Sequence, residues 1–462
     1  MAPEKLPLLT PGLRYLPEDE IDHRTDAEIE ELVDSYRPVT HEKNCWAFWH
    51  SGFKNMPRWC KRNLTGWVRR LGPGWDVRCT DLVDGSPNHV FNFVSTEYLP
   101  KCLVEKGMTG KTPNQHASDL IRLPLVYLVS VWMDCGTVLL VSFDTSFWNL
   151  LEDRECPYEV FMVNFQYRKH EGQILCGLVA ARKNNPFIWR WWRVFFELWK
   201  DRTECAGLRY HPLIRHLGLI DGTNAERIGI GGPTGNSAHI MVDYLAQDYC
   251  FERVRLLVDR DGDWDGPAYY RKHICFLHVE REYWKYAALM PTEMHPKLMS
   301  LPFKPEMTRE SDNADAPGLL PGAAALAATP EDKLDEKTLQ QAARDWLTNI
   351  ASSCLAVKFS GGYWWPESGW AMPLAVTWVL PDHEDDDIAP GTWAEWFRYA
   401  STHLQQTRQV PVYGTYLEGT NSDPSKVPEF LRAERERVLY AGLLEPALES
   451  DGWEFIPPFE TT

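Results

Sequence analysis

Residues 115–140 read QHASDLIRLPLVYLVSVWMDCGTVLL, and the fold turns on how this stretch divides. Residues 117–128 have helical spacing, which sets Asp119 and Arg122 three residues apart on one face, able to address one pocket. Residues 131–140 form the most buried-looking strand of the chain, rich in Val and Leu. Asp134 falls within that run, beside Val131, Trp132, Met133 and Val138. A carboxylate in such company needs a partner or a purpose. It also sits near the end of a buried strand, where open α/β sheets place their ligands.

Outward from this stretch, helices and strands continue to alternate. Residues 45–49 are a short apolar run closed by Ser51-Gly52, a first strand. Pro57 opens a helix to Leu71, with Cys60, Leu64, Trp67, Val68 and Leu71 on one stripe. Residues 75–82 and 175–181 read as further strands, and Asn185 is placed to cap a helix over 186–200. Trp189, Trp192, Phe196 and Trp199 would form that helix's aromatic face. The alternation predicts an α/β layered sheet. Residues 1–42 read as an acidic extension with one helix near 25–36, and 43–304 as the α/β domain. Residues 305–335, rich in Pro, Ala and Gly, read as a flexible linker. Residues 336–462 read as an acidic C-terminal α+β region, with helices over 337–358 and 392–406 flanking an aromatic strand-like run at 361–380.

Composition sets bounds. The 462 residues are 44% apolar and 24% charged, ordinary for a folded chain, and 21 Trp, 18 Tyr and 19 Phe are enough for a large aromatic core. No run approaches the ~18 apolar residues of a membrane span. The first 20 residues have Pro breaks and acids where an export signal has its apolar run, so a cytoplasmic location with no membrane partner is expected. The 11 cysteines include no C-x-x-C pair and read as small buried hydrophobes in a reducing compartment, not a zinc site.

The net charge of −17 is unevenly spread. Residues 1–42 carry 4 cations and 11 anions, and 305–462 carry 11 and 26, leaving 33 and 28 in the middle. The acidic whole argues against nonspecific nucleic-acid binding, and no DNA partner is expected, but the mildly basic middle allows one cationic docking face. Between Lys43 and Trp75 there are seven cations and no acid. Lys54, Arg58, Lys61, Arg62, Arg69 and Arg70 would project from the helix together, and Trp59 could stack on a base. The alternative is a solvated helix face. Two weaker motifs read as turns. Residues 229–235 (GIGGPTG) miss the G-x-G-x-x-G spacing, and residues 261–265 (DGDWD) lack the Glu that closes a calcium loop.

Three segments together resemble a known family: residues 45–78 (CWAFWHSGFKNMPRWCKRNLTGWVRRLGPGWDVR), the stretch 115–140, and residues 177–192 (GLVAARKNNPFIWRWW). They look like the fungal branch of the capsular-polysaccharide-synthesis-like family, over roughly residues 43–285. The S-D-x-x-R helix before W-M-D is its most specific mark. The resemblance implies a GT-A-like (Rossmann-like) layered sheet with helices on both faces. It also implies a nucleotide-sugar diphosphate bound through Mg²⁺ or Mn²⁺ at an acidic D-x-D-type motif. Asp119 and Arg122 then correspond to the S-D-x-x-R pair and Asp134 to the acidic motif, the metal ligand of a glycosyltransferase. Two departures stand out. Val129-Ser130 replaces the family's usual Gly-Gly, and Cys135-Gly136 follows Asp134, so the second acid is missing.

Those departures, with the cationic helix, favour a second implication of the resemblance: an arginine-containing cyclodipeptide synthase. Such an enzyme joins arginine from arginyl-tRNA to a residue from a second aminoacyl-tRNA and closes a diketopiperazine, with no cofactor required. On that reading Asp119 and Asp134 clamp the guanidinium or act as base, with His116 as the alternative base. Ser118, Arg122 and Trp132 would line the pocket, and the cations of 54–70 would hold tRNA phosphates. A nucleotide-sugar-dependent glycosyltransferase is the alternative.

Overall fold

In the computed structural model, described over residues 8–164, 174–219, 236–309, 326, 334–359, 373–408, 413–414, 437–453 and 455–458, the chain forms a layered α/β structure. The strands are β1 Leu13–Tyr15, β2 Asn44–Phe48, β3 Asp76–Thr80, β4 Val131–Met133, β5 Thr137–Leu139, β6 Val160–Asn164 and β7 Ile174–Ala181. They continue with β8 Leu257–Asp259, β9 Trp264–Asp265, β10 Ile274–His278, β11 Ala356–Lys358, β12 Leu404–Gln406, β13 Tyr413–Gly414 and β14 Leu439–Tyr440. The longer helices are α1 Asp26–Asp34, α2 Arg58–Leu71, α3 Pro113–Val129, α4 Pro186–Trp199, α5 Asn236–Tyr244, α6 Ala246–Leu256, α7 Glu336–Ser353 and α8 Trp393–His403.

Seven strands build the main sheet in the order β13-β10-β6-β7-β4-β2-β3. β2 runs parallel to β3 and β4, and β6 parallel to β10, while β7 is antiparallel to both β4 and β6. Every residue of β2, β4 and β7 is buried, so helices and loops cover both faces, as a parallel-rich sheet requires. This is the layered α/β arrangement expected of a GT-A-like fold. Local sequence explains the helix starts. Asn185 Oδ1 accepts from the Phe187 and Ile188 N–H groups to cap α4, and Thr25 and Glu28 form a capping box on α1.

Several expectations shift. The helix expected at 117–128 begins four residues earlier, at Pro113, where proline fits the first turn. The strand expected over 131–140 is two strands joined by a turn, because the Asp134 N–H bonds the Gly177 carbonyl (2.8 Å) while the Thr137 N–H turns back to the Asp134 carbonyl (3.1 Å). β4 stays in the main sheet, and β5 leaves it to pair with β11. On α4 the buried face carries Trp191, Phe195 and Trp199, and Trp189 is 37% exposed. The helix expected over 337–358 ends at Ser353 and gives way to β11; the one over 392–406 ends at His403 and gives way to β12. Residues 261–263 form the turn into β9; 229–235, 361–372 and most of 305–335 lie outside the described residues, and the described end of the strand-like run expected over 361–380 is helical at Pro373–Thr377.

The flanks interlock with the middle of the chain. β1 pairs with β12, β11 with β5, and β13 extends the main sheet beside β10. The Arg398 guanidinium of α8 donates to Asn63 Oδ1 of α2 at 2.6 Å. All 11 cysteines are free, and nine are buried.

Candidate active site

The parallel strands β2 and β4 end together, and the cleft beyond their carboxyl ends is where an open α/β sheet offers a ligand site. A cavity of about 250 Å³ lies there, lined by Phe48 at the end of β2 and Trp49 and His50 after it, by Ser118, Asp119 and Arg122 of α3, and by Asp134, Cys135 and Gly136 after β4. Trp132, Tyr244 and Lys358 complete the wall nearest Asp134.

Asp134 is the hub. Its Oδ1 accepts from Trp132 Nε1 at 2.8 Å and Arg122 Nη2 at 3.2 Å, and its Oδ2 accepts from Lys358 Nζ at 2.6 Å. Burial pushes the carboxyl up, but Lys358 and Arg122 together outweigh it and hold the group below the ordinary carboxylate value. Arg122 also meets Asp119 Oδ1 at 3.0 Å, bonds the Gln247 side chain, and lies 5.2 Å from the Trp132 ring centre. Gln247 in turn donates to the Asp119 carbonyl at 2.7 Å, so α6 locks the helix turn that presents Asp119 and Arg122.

His116 stands behind this cluster. It is 2% exposed, its Nδ1 lies 3.3 Å from Asp119 Oδ2, and it is packed against the rings of Trp199 and Tyr244. Burial alone would lower its pKa; hydrogen bonds and charge from Asp119 and Cys205 raise it instead, to about 9. His116 is buried behind Asp119 and is not among the residues that line the cleft, which sets it apart from the base expected there. His50, which the sequence reading passed over, is half-buried in the cleft wall, and burial holds its imidazole below the ordinary value.

Lys358 was also passed over. It lies 224 residues from Asp134 and arrives on β11, in register opposite Thr137 of β5. The signal was present: Lys358 is the one charge in the run Leu355-Ala356-Val357-Lys358-Phe359, the same anomaly that singled out Asp134. Gly177 of β7 makes room for the pair. A Cβ there would meet Tyr283 Oη at 2.9 Å, Lys358 Nζ at 3.0 Å and Asp134 Oδ2 at 3.1 Å.

The cationic helix does not offer a free face. The acidic loop after residue 380 folds over it: Arg58 pairs with Glu384 (3.2 Å) and Asp385 (2.7 Å), and Arg62 with Asp385 (2.9 Å) and Asp387. Arg69 pairs with Asp26 at 2.8 Å, and Lys54 with Asp34 at 3.1 Å. Arg70 points inward and donates to the Ser401 and Leu404 carbonyls (3.0 and 2.8 Å), its pKa lowered by burial to about 10. Lys61 lies 5.7 Å from the Phe53 ring centre, and Trp59 is buried near Trp378, unable to stack on a base. The acids of the flanks neutralise the cations of the middle, which corrects the expected tRNA-binding face.

Comparison with known proteins decides the family. The profile of the capsular polysaccharide synthesis protein family matches residues 14–211. The O-glycosyltransferase braB of Annulohypoxylon truncatum is 34% identical over 443 residues, 94% of either chain. This chain belongs to the capsular-polysaccharide-synthesis-like glycosyltransferase family. The glycosyltransferase afumC of Aspergillus fumigatus is 37% identical over 392 residues, 84% of this chain and 91% of its own. The O-glycosyltransferase PaGT of Phomopsis amygdali is 33% identical over 412 residues, 86% of this chain and 91% of its own. Relatives that align over nearly their full length and are named for glycosyl transfer overturn the expected cyclodipeptide synthase, and with it the aminoacyl-tRNA and arginyl-tRNA partners.

One of the two departures noted in the sequence has a backbone counterpart. Ser130, where the resemblance implied glycine, has a φ of 72° and a ψ of −86°, in the left-handed half of the map that glycine enters without strain. At the D-x-D position the residues do not fit a divalent ion. Gly136 replaces the second acid, and both oxygens of Asp134 are taken by Trp132, Arg122 and Lys358. Among the described residues no cluster of three His, Cys, Asp or Glu forms a metal site, and no helix is long and apolar enough to cross a membrane.

Proposed function

We propose that this protein transfers a sugar from a nucleotide-sugar donor to the hydroxyl oxygen of a small-molecule acceptor, in the cleft beyond β2 and β4. The observation that carries the reading is the pair of cations in that cleft. Arg122 and Lys358 line it beside Asp119 and Asp134, a guanidinium and an ammonium where a diphosphate would sit. The names of braB and PaGT, both O-glycosyltransferases, support oxygen as the acceptor atom.

In this reading Asp134 is a positioning residue. It orients Arg122 and Lys358 toward the diphosphate, and Trp132 fixes its carboxylate plane. Asp119 holds the other side of Arg122, and Ser118 offers a hydroxyl on the same wall. The neutral imidazole of His50 is the base for the acceptor's proton. The test is purified protein with UDP- and GDP-sugars and a panel of small alcohols, read by mass spectrometry. A glycosylated alcohol with stoichiometric release of nucleoside diphosphate supports the reading. Neither product from any pair would sink it.

A further inference from the structure

The cleft lacks the second acid of a D-x-D site, and a lysine is built into the gap. We propose that Lys358, with Arg122, receives the departing diphosphate directly and does the charge neutralisation that a divalent ion does elsewhere. This rests on the nucleotide-sugar reading above.

The backbone carries the argument. Gly136 occupies the second acid's place, and its carbonyl accepts the Phe359 N–H at 2.9 Å. The strand that delivers Lys358 is therefore pinned to the very turn from which the acid is missing, with Lys358 in register opposite Thr137. Gly177 leaves the space that the ammonium and Asp134 fill, since a Cβ there would come within 3.0 Å of Nζ. A Mg²⁺ ion is held by one or two carboxylates plus substrate phosphates. At the D-x-D position it would find only the Asp134 carboxylate, and would have to displace Lys358 from Oδ2 at 2.6 Å and two further donors from Oδ1; Asp119, the cleft's other carboxylate, is itself paired with Arg122 and His116. A lysine ammonium has three N–H donors, so pairing with Asp134 leaves donors for phosphate oxygens. Arg122, buried and held on three sides, adds the second charge.

The step balances without a metal. The bond from the sugar's anomeric carbon to the β-phosphate oxygen breaks, and its electron pair leaves on that oxygen. The acceptor oxygen bonds to the anomeric carbon, and its proton passes to His50. Lys358 and Arg122 remain protonated and face the charge that develops on the leaving group.

The test titrates UDP and GDP calorimetrically into the full-length protein in EDTA, then with Mg²⁺ or Mn²⁺. One of the two is expected to bind in EDTA with an affinity changed less than about twofold by metal, Lys358→Met to weaken it at least ~10-fold, and Lys358→Arg to recover part of the loss. Transfer should likewise survive EDTA in the wild type and fall about 100-fold or more in Lys358→Met. Binding and transfer that appear only with metal would overturn the role of Lys358 and leave the glycosyltransferase reading intact. No binding and no donor cleavage under either condition would overturn both. Should Lys358→Met fail to fold, the wild-type titration in EDTA decides alone.

Discussion

Two regions of this protein concentrate charge, and they use it differently. On α2, Arg58, Arg62 and Arg69 are each matched by acids from the flanks, and Arg70 is spent on backbone carbonyls. At its deepest point Asp387 is fully buried between Arg62 and Arg398. Around Asp134 the charges also pair, but they border a cavity and sit at the carboxyl ends of parallel strands. A row of cations in sequence says nothing about its destination. What separates a clasp from a site is whether a ligand can reach the paired charges.

Breaking each region should break a different property. The largest effect is expected from Asp387→Ala, which removes the buried carboxylate shared by two guanidiniums and leaves Arg62 with Asp385 and Arg398 with Asn63. About 3–5 kcal/mol of stability should be lost, while the fraction that remains folded keeps its transfer rate. Chemical denaturation paired with an activity assay checks both halves, and a wild-type melting point would show that the clasp is ornamental.

The next effect is a pH dependence of stability. The pKa of His116 is raised to about 9 in the folded chain against 6.5 when unfolded. Its contribution is therefore complete below pH ~6.5 and is lost as pH rises through about 9, on the order of 3 kcal/mol. Denaturation midpoints at pH 6 and pH 9.5 should differ more for wild type than for His116→Gln; equal slopes would remove the charged pair with Asp119.

Asp134→Asn should slow transfer at least tenfold, or ~1.4 kcal/mol of barrier, by releasing Arg122 and Lys358 from their common anchor. Its melting temperature should move less than that of Asp387→Ala, because Asp134 is 19% exposed and water from the cleft can solvate both cations. Full activity in the folded variant would take Asp134 out of the mechanism. The smallest effect belongs to Arg58→Ala. Its side chain is 54% exposed, so losing its two ion pairs should cost less than about 1 kcal/mol and leave transfer unchanged.

The sequence made the layered α/β order legible because apolar runs alternated with helical stripes, and it located Asp119, Arg122 and Asp134 because a charge in an apolar run needs a reason. Lys358 was hidden by distance: nothing within residues 131–140 indicates that β5 leaves the main sheet to pair with β11. The cationic face failed for the same cause. Helical spacing places Arg58 and Arg62 on one side of α2 but is blind to Glu384, Asp385 and Asp387 arriving from more than 320 residues away. Local pattern reports elements and anomalies, whereas partners come from topology.

A nucleotide diphosphate is expected to bind in the Asp134 cleft. A second, larger hollow of about 1070 Å³ offers it a competing site. It lies at the opposite end of the sheet, beside Asp76 where β3 begins, and is lined by Arg14, Arg24, Arg37 and Arg69. A crystal structure grown with UDP or GDP tells the two apart. The diphosphate is expected against Lys358 and Arg122, within hydrogen-bond distance of the Lys358 ammonium. A diphosphate seated in the larger hollow, away from Lys358, would contradict that placement.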